Sequence, residues 1–152
     1  MNRPAHFASE PPQITVRNLQ RKVPVKVKSL QEFAGGALVK CAAVPGSRAF
    51  PAGEVGVLLV SDRRIAILHR QFMNVNGPTD VITFQHGEIF ISAETAQRHA
   101  RRFGNSFVRE LHLYIVHGLL HLRGWDDQKP ADARLMQVLQ ERILGEMTGP
   151  GG

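Results

Sequence analysis

Residues 117–127 read HGLLHLRGWDD at the end of a long apolar segment, and this stretch constrains the chain more than any other. It sets His117, His121, Gly124 and Asp127 in the pattern H-x3-H-x2-G-x2-D. An α-helix repeats every ~3.6 residues, so side chains four apart project from one face, a turn apart. The imidazoles of His117 and His121 can then reach one cation, each offering a neutral ring nitrogen to a borderline metal such as zinc. Gly124 ends the helix in a left-handed turn, a conformation that residues with a Cβ adopt reluctantly. The chain folds back beyond it, so Asp127 approaches the ion from a third direction. A water or substrate oxygen completes a tetrahedral shell, the open arrangement of a catalytic site. The blander account makes both histidines ordinary members of a buried helix and Gly124 a plain C-cap.

The rest of the chain supplies a scaffold for that helix. Residues 1–13 are Pro-rich and of mixed polarity, and are expected to form a disordered tail. A single domain is expected over 14–148. Residues 14–19 suit a strand of alternating character, and Leu30, Phe33, Ala34, Ala37, Leu38 and Cys41 recur at helical spacing over 26–43. After the loop VPGSRAFPAG, the run VGVLLV at 55–60 suits a strand covered on both faces. A helix over 63–73, capped by Ser61 or Asp62, turns Ile65, Leu68 and Phe72 inward. Strands at 80–84 and 88–92 precede a basic helix at 93–103 and the motif helix at 107–123. A last helix over 131–146 buries Leu135, Val138, Leu139, Ile143 and Leu144. Strands and helices are interspersed without strict alternation. This predicts an α+β fold, a small mixed sheet packed with about five helices.

Nineteen Lys and Arg against 13 Asp and Glu give a net charge of +6, which favours polyanions such as RNA. The basic residues fall in groups: Arg17, Arg21, Lys22, Lys26 and Lys28, then Arg98, Arg101, Arg102 and Arg109. Each group also reads as a solvated face. The lone cysteine, Cys41, excludes an internal disulfide and reads as a core thiol in a reducing compartment. No run is long enough to span a bilayer, and the first residues lack the apolar core of a leader. A cytoplasmic protein with no membrane partner is the expectation.

Several segments, in order, resemble the YbeY family of metal-dependent bacterial endoribonucleases and ribosomal-RNA maturation factors. SDRRIAILHRQF resembles the family's helix after its second strand, and GPTDVITF its turn-and-strand signature. GEIFIS resembles the next strand, with Glu88 where Asp is common, and ELHLYIVHGLLHLRGWDD the metal-binding helix. The resemblance implies that His117, His121 and Asp127 hold the ion. It also marks two departures. The third ligand, usually histidine, is Asp127, and an arginine expected before the PTD-type turn is Met73, with Arg70 one helical turn earlier. A carboxylate is an acceptable zinc ligand, yet it makes the ion a weaker Lewis acid and suits iron(II) or manganese better than a third imidazole would.

The chemistry can be narrowed further. Zinc peptidases of the H-E-x-x-H type place a general base directly after the first histidine, and here that position is Gly118. Gly118 instead permits close approach of another chain segment or of substrate. What remains is metal-assisted hydrolysis of a phosphodiester by an activated water. The expected function is therefore a zinc-dependent, single-strand-specific endoribonuclease acting in late ribosomal-RNA processing, with RNA or ribosomal particles as partners and no DNA. The alternative is a non-catalytic ribosome-assembly or RNA-binding factor whose metal is structural or absent. A metallohydrolase with another substrate is a third option. Asp126 is a candidate to orient a ligand histidine, with a capping role as its competitor.

Overall fold

In the computed structural model, which describes residues 12–51 and 53–148, the apolar runs become strands and the amphipathic stretches helices. The order is β1 (Gln13–Asn18), α1 (Val27–Ala42), β2 (Glu54–Val60), α2 (Asp62–Met73), β3 (Val81–Phe84), β4 (Glu88–Ser92), α3 (Ala93–Phe103), α4 (Phe107–Leu122) and α5 (Pro130–Thr148). The expected disordered tail lies outside the described residues over 1–11, and Gln13 already pairs with Glu54. No helix among the described residues is long and apolar enough to cross a membrane.

The strands form one mixed sheet in the order β1-β2-β4-β3. β2 pairs in parallel with both β1 and β4, and β3 returns antiparallel to β4. Being paired on both edges and covered on both faces, β2 needs the nearly continuous apolar sequence it carries. Val55, Val57 and Leu59 join Ile89 and Ile91 of β4 in the larger core, shared with α1, α4 and α5. Leu58, Val60, Ile82 and Phe90 turn to the opposite face, where Ile65 and Leu68 of α2 cover them. The fold is α+β, as expected.

Helix starts follow from serines. Ser61, Ser92 and Ser106 each accept the backbone N–H three residues on, at 3.1, 3.1 and 3.0 Å, capping α2, α3 and α4. Asp62 also ties α2 to α3. Its carboxylate accepts from Ser92 Oγ, Thr95 Oγ1 and Arg98 Nη1, each at 2.6 Å. Arg98 and Arg109 are thus ion-paired, Arg109 with Glu141 at 2.9 Å, so part of the second basic group serves the fold.

Three inward-facing assignments are corrected, Phe72, Leu135 and Val138, while Ile65, Leu139, Ile143 and Leu144 are buried as expected. Phe72 is 58% exposed, lying edge-on to Phe84 at 5.1 Å between ring centres instead of entering the core. On α5, Leu135 and Val138 are exposed, while Met136, Leu139, Gln140, Ile143 and Leu144 are buried. Two apolar stripes overlap on this helix. The stripe that packs is the one interrupted by Gln140, and the reason lies at the end of α4.

Candidate metal centre

α4 is the best-buried helix near the sheet. Leu111, Ile115, Leu119, Leu120 and Leu122 are almost wholly enclosed, which fixes the helix about its axis and so fixes where its histidines point. Gly118 lets it lie close to β4: a Cβ built there would sit 2.8 Å from both Cδ1 and Cγ2 of Ile89. Of the two roles open to this glycine in the sequence, close packing against another segment is the one observed.

The turn that follows is held from several sides. Gly124 has φ +94°, and its N–H donates to His121 O while that of Trp125 donates to Leu120 O, both at 3.0 Å. The Arg123 guanidinium donates to Ala42 O at 2.9 Å and Arg48 O at 2.7 Å, with Nε reaching Cys41 O at 3.3 Å. It thereby places a positive charge at the carbonyl end of α1 and pins the turn to it. Trp125 packs against the larger core and donates its indole N–H to Ser47 Oγ at 2.9 Å. The Arg123 clamp was not foreseen from sequence, because Arg123 and its partners lie 75 to 82 residues apart along the chain.

Within this frame His117, His121 and Asp127 converge. The two Nε2 atoms are 3.0 Å apart, and the Asp127 carboxylate lies 3.4 Å from His117 Nε2 and 3.7 Å from His121 Nε2. The other nitrogens are engaged. His121 Nδ1 meets the Trp125 carbonyl at 3.0 Å, and because a carbonyl only accepts, Nδ1 carries the hydrogen and Nε2 is a bare lone pair. His117 Nδ1 meets Gln140 Oε1, an acceptor with the same consequence. Burial first, then the neighbouring His117, push the His121 pKa down, outweighing Asp127, the Trp125 carbonyl and Asp126, so the ring is neutral near pH 7.

Two lone pairs and a carboxylate thus face one point with no hydrogen between them, an arrangement that is repulsive until a cation occupies it. The spacing fits the test: ligands on a tetrahedral ion with bonds of ~2.1 Å are separated by about 3.4 Å, and the three observed edges straddle that value. Gln140 is the residue that sequence reasoning missed. It is 9% exposed on the packed stripe of α5, and a lone amide among Met136, Leu139, Ile143 and Leu144 was the available signal.

Asp126 accepts from Gln128 N–H at 3.0 Å within the turn ahead of α5, and the hydrogen bonds orienting the histidines come from Gln140 and the Trp125 carbonyl instead. Arg70 donates to Asn76 Oδ1 at 2.9 Å within the α2–β3 turn. His112 stacks flat on Phe33 with ring centres 3.6 Å apart, and burial, with a smaller effect of Arg109, lowers its pKa to about 4. His69, His86 and His99 bond Gly77 O, Glu88 and Tyr114. A cleft of about 260 Å³ opens beside the centre, between α4 and α5, lined by Leu113, His117, Asp127, Met136, Gln137, Gln140, Glu141 and Ala133.

A mixed four-stranded sheet that backs a buried helix, with a His-His-Asp cluster at that helix's glycine-turned end, defines a small α+β protein with a candidate single-ion centre. The chain belongs to the YbeY family: the family's sequence model, described as Endoribonuclease YbeY, matches residues 15–148. A relative in Myxococcus xanthus carrying that description is 37% identical over 106 residues, spanning 61% of this chain and 36% of the relative. Another in Phocaeicola vulgatus is 34% identical over 116 residues, 72% of this chain and 82% of its own length. A Thermotoga maritima protein with a solution structure aligns at a TM-score of 0.64 and 28% identity, over 90% of each chain.

Proposed function

We propose that this chain is a metal-dependent, single-strand-specific endoribonuclease that hydrolyses phosphodiesters in late ribosomal-RNA processing, with His117, His121 and Asp127 holding one ion. The observation that carries the reading is the convergence of His117 Nε2, His121 Nε2 and the Asp127 carboxylate, all within 4.8 Å of one another. A bound zinc ion supplies Lewis acidity toward a phosphoryl oxygen and makes water a usable nucleophile near neutral pH. The chain's own residues present the ligand atoms: Gln140 and the Trp125 carbonyl fix both imidazole tautomers, and α4 fixes their spacing. The net charge of +6 suits an RNA backbone. The anionic third ligand also suits iron(II) or manganese.

The test is cleavage of a single-stranded RNA by purified protein, abolished by chelator and restored by added zinc. Full activity in a His117→Ala, His121→Ala double variant would overturn the assignment. The departures at Asp127 and Met73 favour a second reading, a ribosome-assembly factor without catalysis. That reading predicts salt-sensitive RNA binding that survives metal removal, and no cleavage with zinc, iron(II) or manganese.

A further inference from the structure

The cleft beside the candidate metal centre has a chemical character of its own. Its floor is apolar, from Leu113, Ala133 and Met136, and its charged lining residues, Asp127 and Glu141, are both acidic, without Lys or Arg. Asp127 belongs to the metal centre and Glu141 pairs with Arg109, so the rest of the lining is neutral and suits a neutral heterocycle. The volume, about 260 Å³, corresponds to roughly nine waters at ~30 Å³ each, room for a single planar base.

Gln140 makes the cleft specific. Its Oε1 is committed to His117 Nδ1, since His117 can present a bare Nε2 only when Nδ1 carries the hydrogen. The amide NH2 is therefore left over. Among the described residues no acceptor meets it, although Gln140 is nine-tenths buried. A buried donor left without an acceptor is unfavourable, so the group calls for water or a ligand oxygen. Glu141 gives one oxygen, Oε1, to Arg109 and keeps the other for a ligand N–H.

We propose that the α4–α5 cleft is a nucleobase pocket in which the Gln140 amide donates to a base carbonyl, selecting uracil or guanine over adenine beside the bond to be cut. Adenine has no carbonyl oxygen to accept from Gln140. The pocket rests on the reading of the chain as an RNA-binding nuclease, and deepens it by naming what the strand inserts. Gln140 then has two tasks, orienting a metal ligand and reading the base next to it.

The experiment is anisotropy binding of fluorescein-labelled pentauridylate and pentaadenylate to the full chain, with metal removed by chelator so that cleavage does not intervene. The unmodified protein is expected to bind the uridine oligomer about tenfold more tightly. In Gln140→Leu, and separately in Ala133→Phe, which fills the cleft from a half-buried position on α5, the ratio falls below twofold. Ala133→Phe retains full metal content and decides the matter should Gln140→Leu not fold. No preference in the unmodified protein, or a preference that both variants keep, overturns the pocket. Loss in Ala133→Phe with retention in a folded Gln140→Leu overturns the role of the amide. Because binding is read without metal, a failure of cleavage alone bears on the nuclease reading and leaves this result distinct.

Discussion

Replacing Gly118 by alanine tests whether the site depends on how closely α4 lies on the sheet. The new Cβ would meet three atoms of one side chain, Cδ1 and Cγ2 of Ile89 at 2.8 Å and Cγ1 at 3.0 Å. Carbon pairs rest at about 3.5–4.0 Å, so a displacement of roughly 0.5–1 Å is needed. Ile89 is fully enclosed within the larger core and has nowhere to retreat. Overpacking of this kind costs about 1–3 kcal/mol, while alanine returns about 0.5–1 kcal/mol through helix propensity. The net expectation is about 1–2 kcal/mol of destabilisation, a fall in Tm of about 3–8 °C for a chain of this size. Thermal and urea unfolding measure it, and a double-mutant cycle with Ile89→Ala isolates the contact. The cost of Gly118→Ala should shrink or reverse in the Ile89→Ala background. Since His117 precedes Gly118, the shift of α4 should also weaken zinc binding, read by chelator competition. A Gly118→Ala protein as stable as the original, with no coupling to Ile89, would refute the packing argument.

Other perturbations give outcomes of known sign. Asp127→Ala should reduce bound metal, measured by elemental mass spectrometry, from about one equivalent to a small fraction, whereas Asp126→Ala should retain it. At Asp62, burial opposes the charged form but hydrogen bonds from Arg98, Ser92 and Thr95 outweigh it, so the folded pKa lies below its ordinary value of 3.8. Its contribution is therefore complete above that value and lost as pH falls through the folded pKa. Asp62→Ala should cost about 2 kcal/mol at neutral pH, with the deficit narrowing in acid melts. His112 works the other way round: its folded pKa of about 4 is below the unfolded 6.5, so the unfolded chain takes the proton first. Stability should drop by about 2–3 kcal/mol between pH 6.5 and 4, and His112→Phe should flatten that slope.

The parts of this protein that could be read from its sequence are those whose logic is local. Two histidines four apart, a glycine three further on and a carboxylate after it specify a helix, its end and a return within one short stretch. The serine caps and the doubly covered β2 are equally local. What escaped are contacts that only the assembled fold creates. Arg123 finds its carbonyls at the far end of α1, and Phe72 leaves the core because Phe84, on a later strand, supplies its partner. On α5 the inward placement of Leu139, Ile143 and Leu144 held, while Leu135 and Val138 are exposed and the face turns instead to take in Met136 and Gln140.

The place of Gln140 on that face has a chemical explanation. A buried amide in an apolar stripe is costly unless its oxygen has a donor, and His117 Nδ1 supplies one only when the stripe through Met136 faces α4. The polar residue that weakens the apolar pattern is therefore the residue that registers α5 against the candidate metal helix. Its neutrality matters as well. Two imidazoles and Asp127 around a divalent ion leave a net charge of about +1, against about +2 for three imidazoles. A carboxylate at position 140 would orient His117 equally well but would bring a second negative charge to the site. With an amide there, Asp127 alone sets the charge of the inner ligand set. The ion keeps Lewis acidity toward a phosphoryl oxygen, and the third ligand becomes the position at which metal preference is decided.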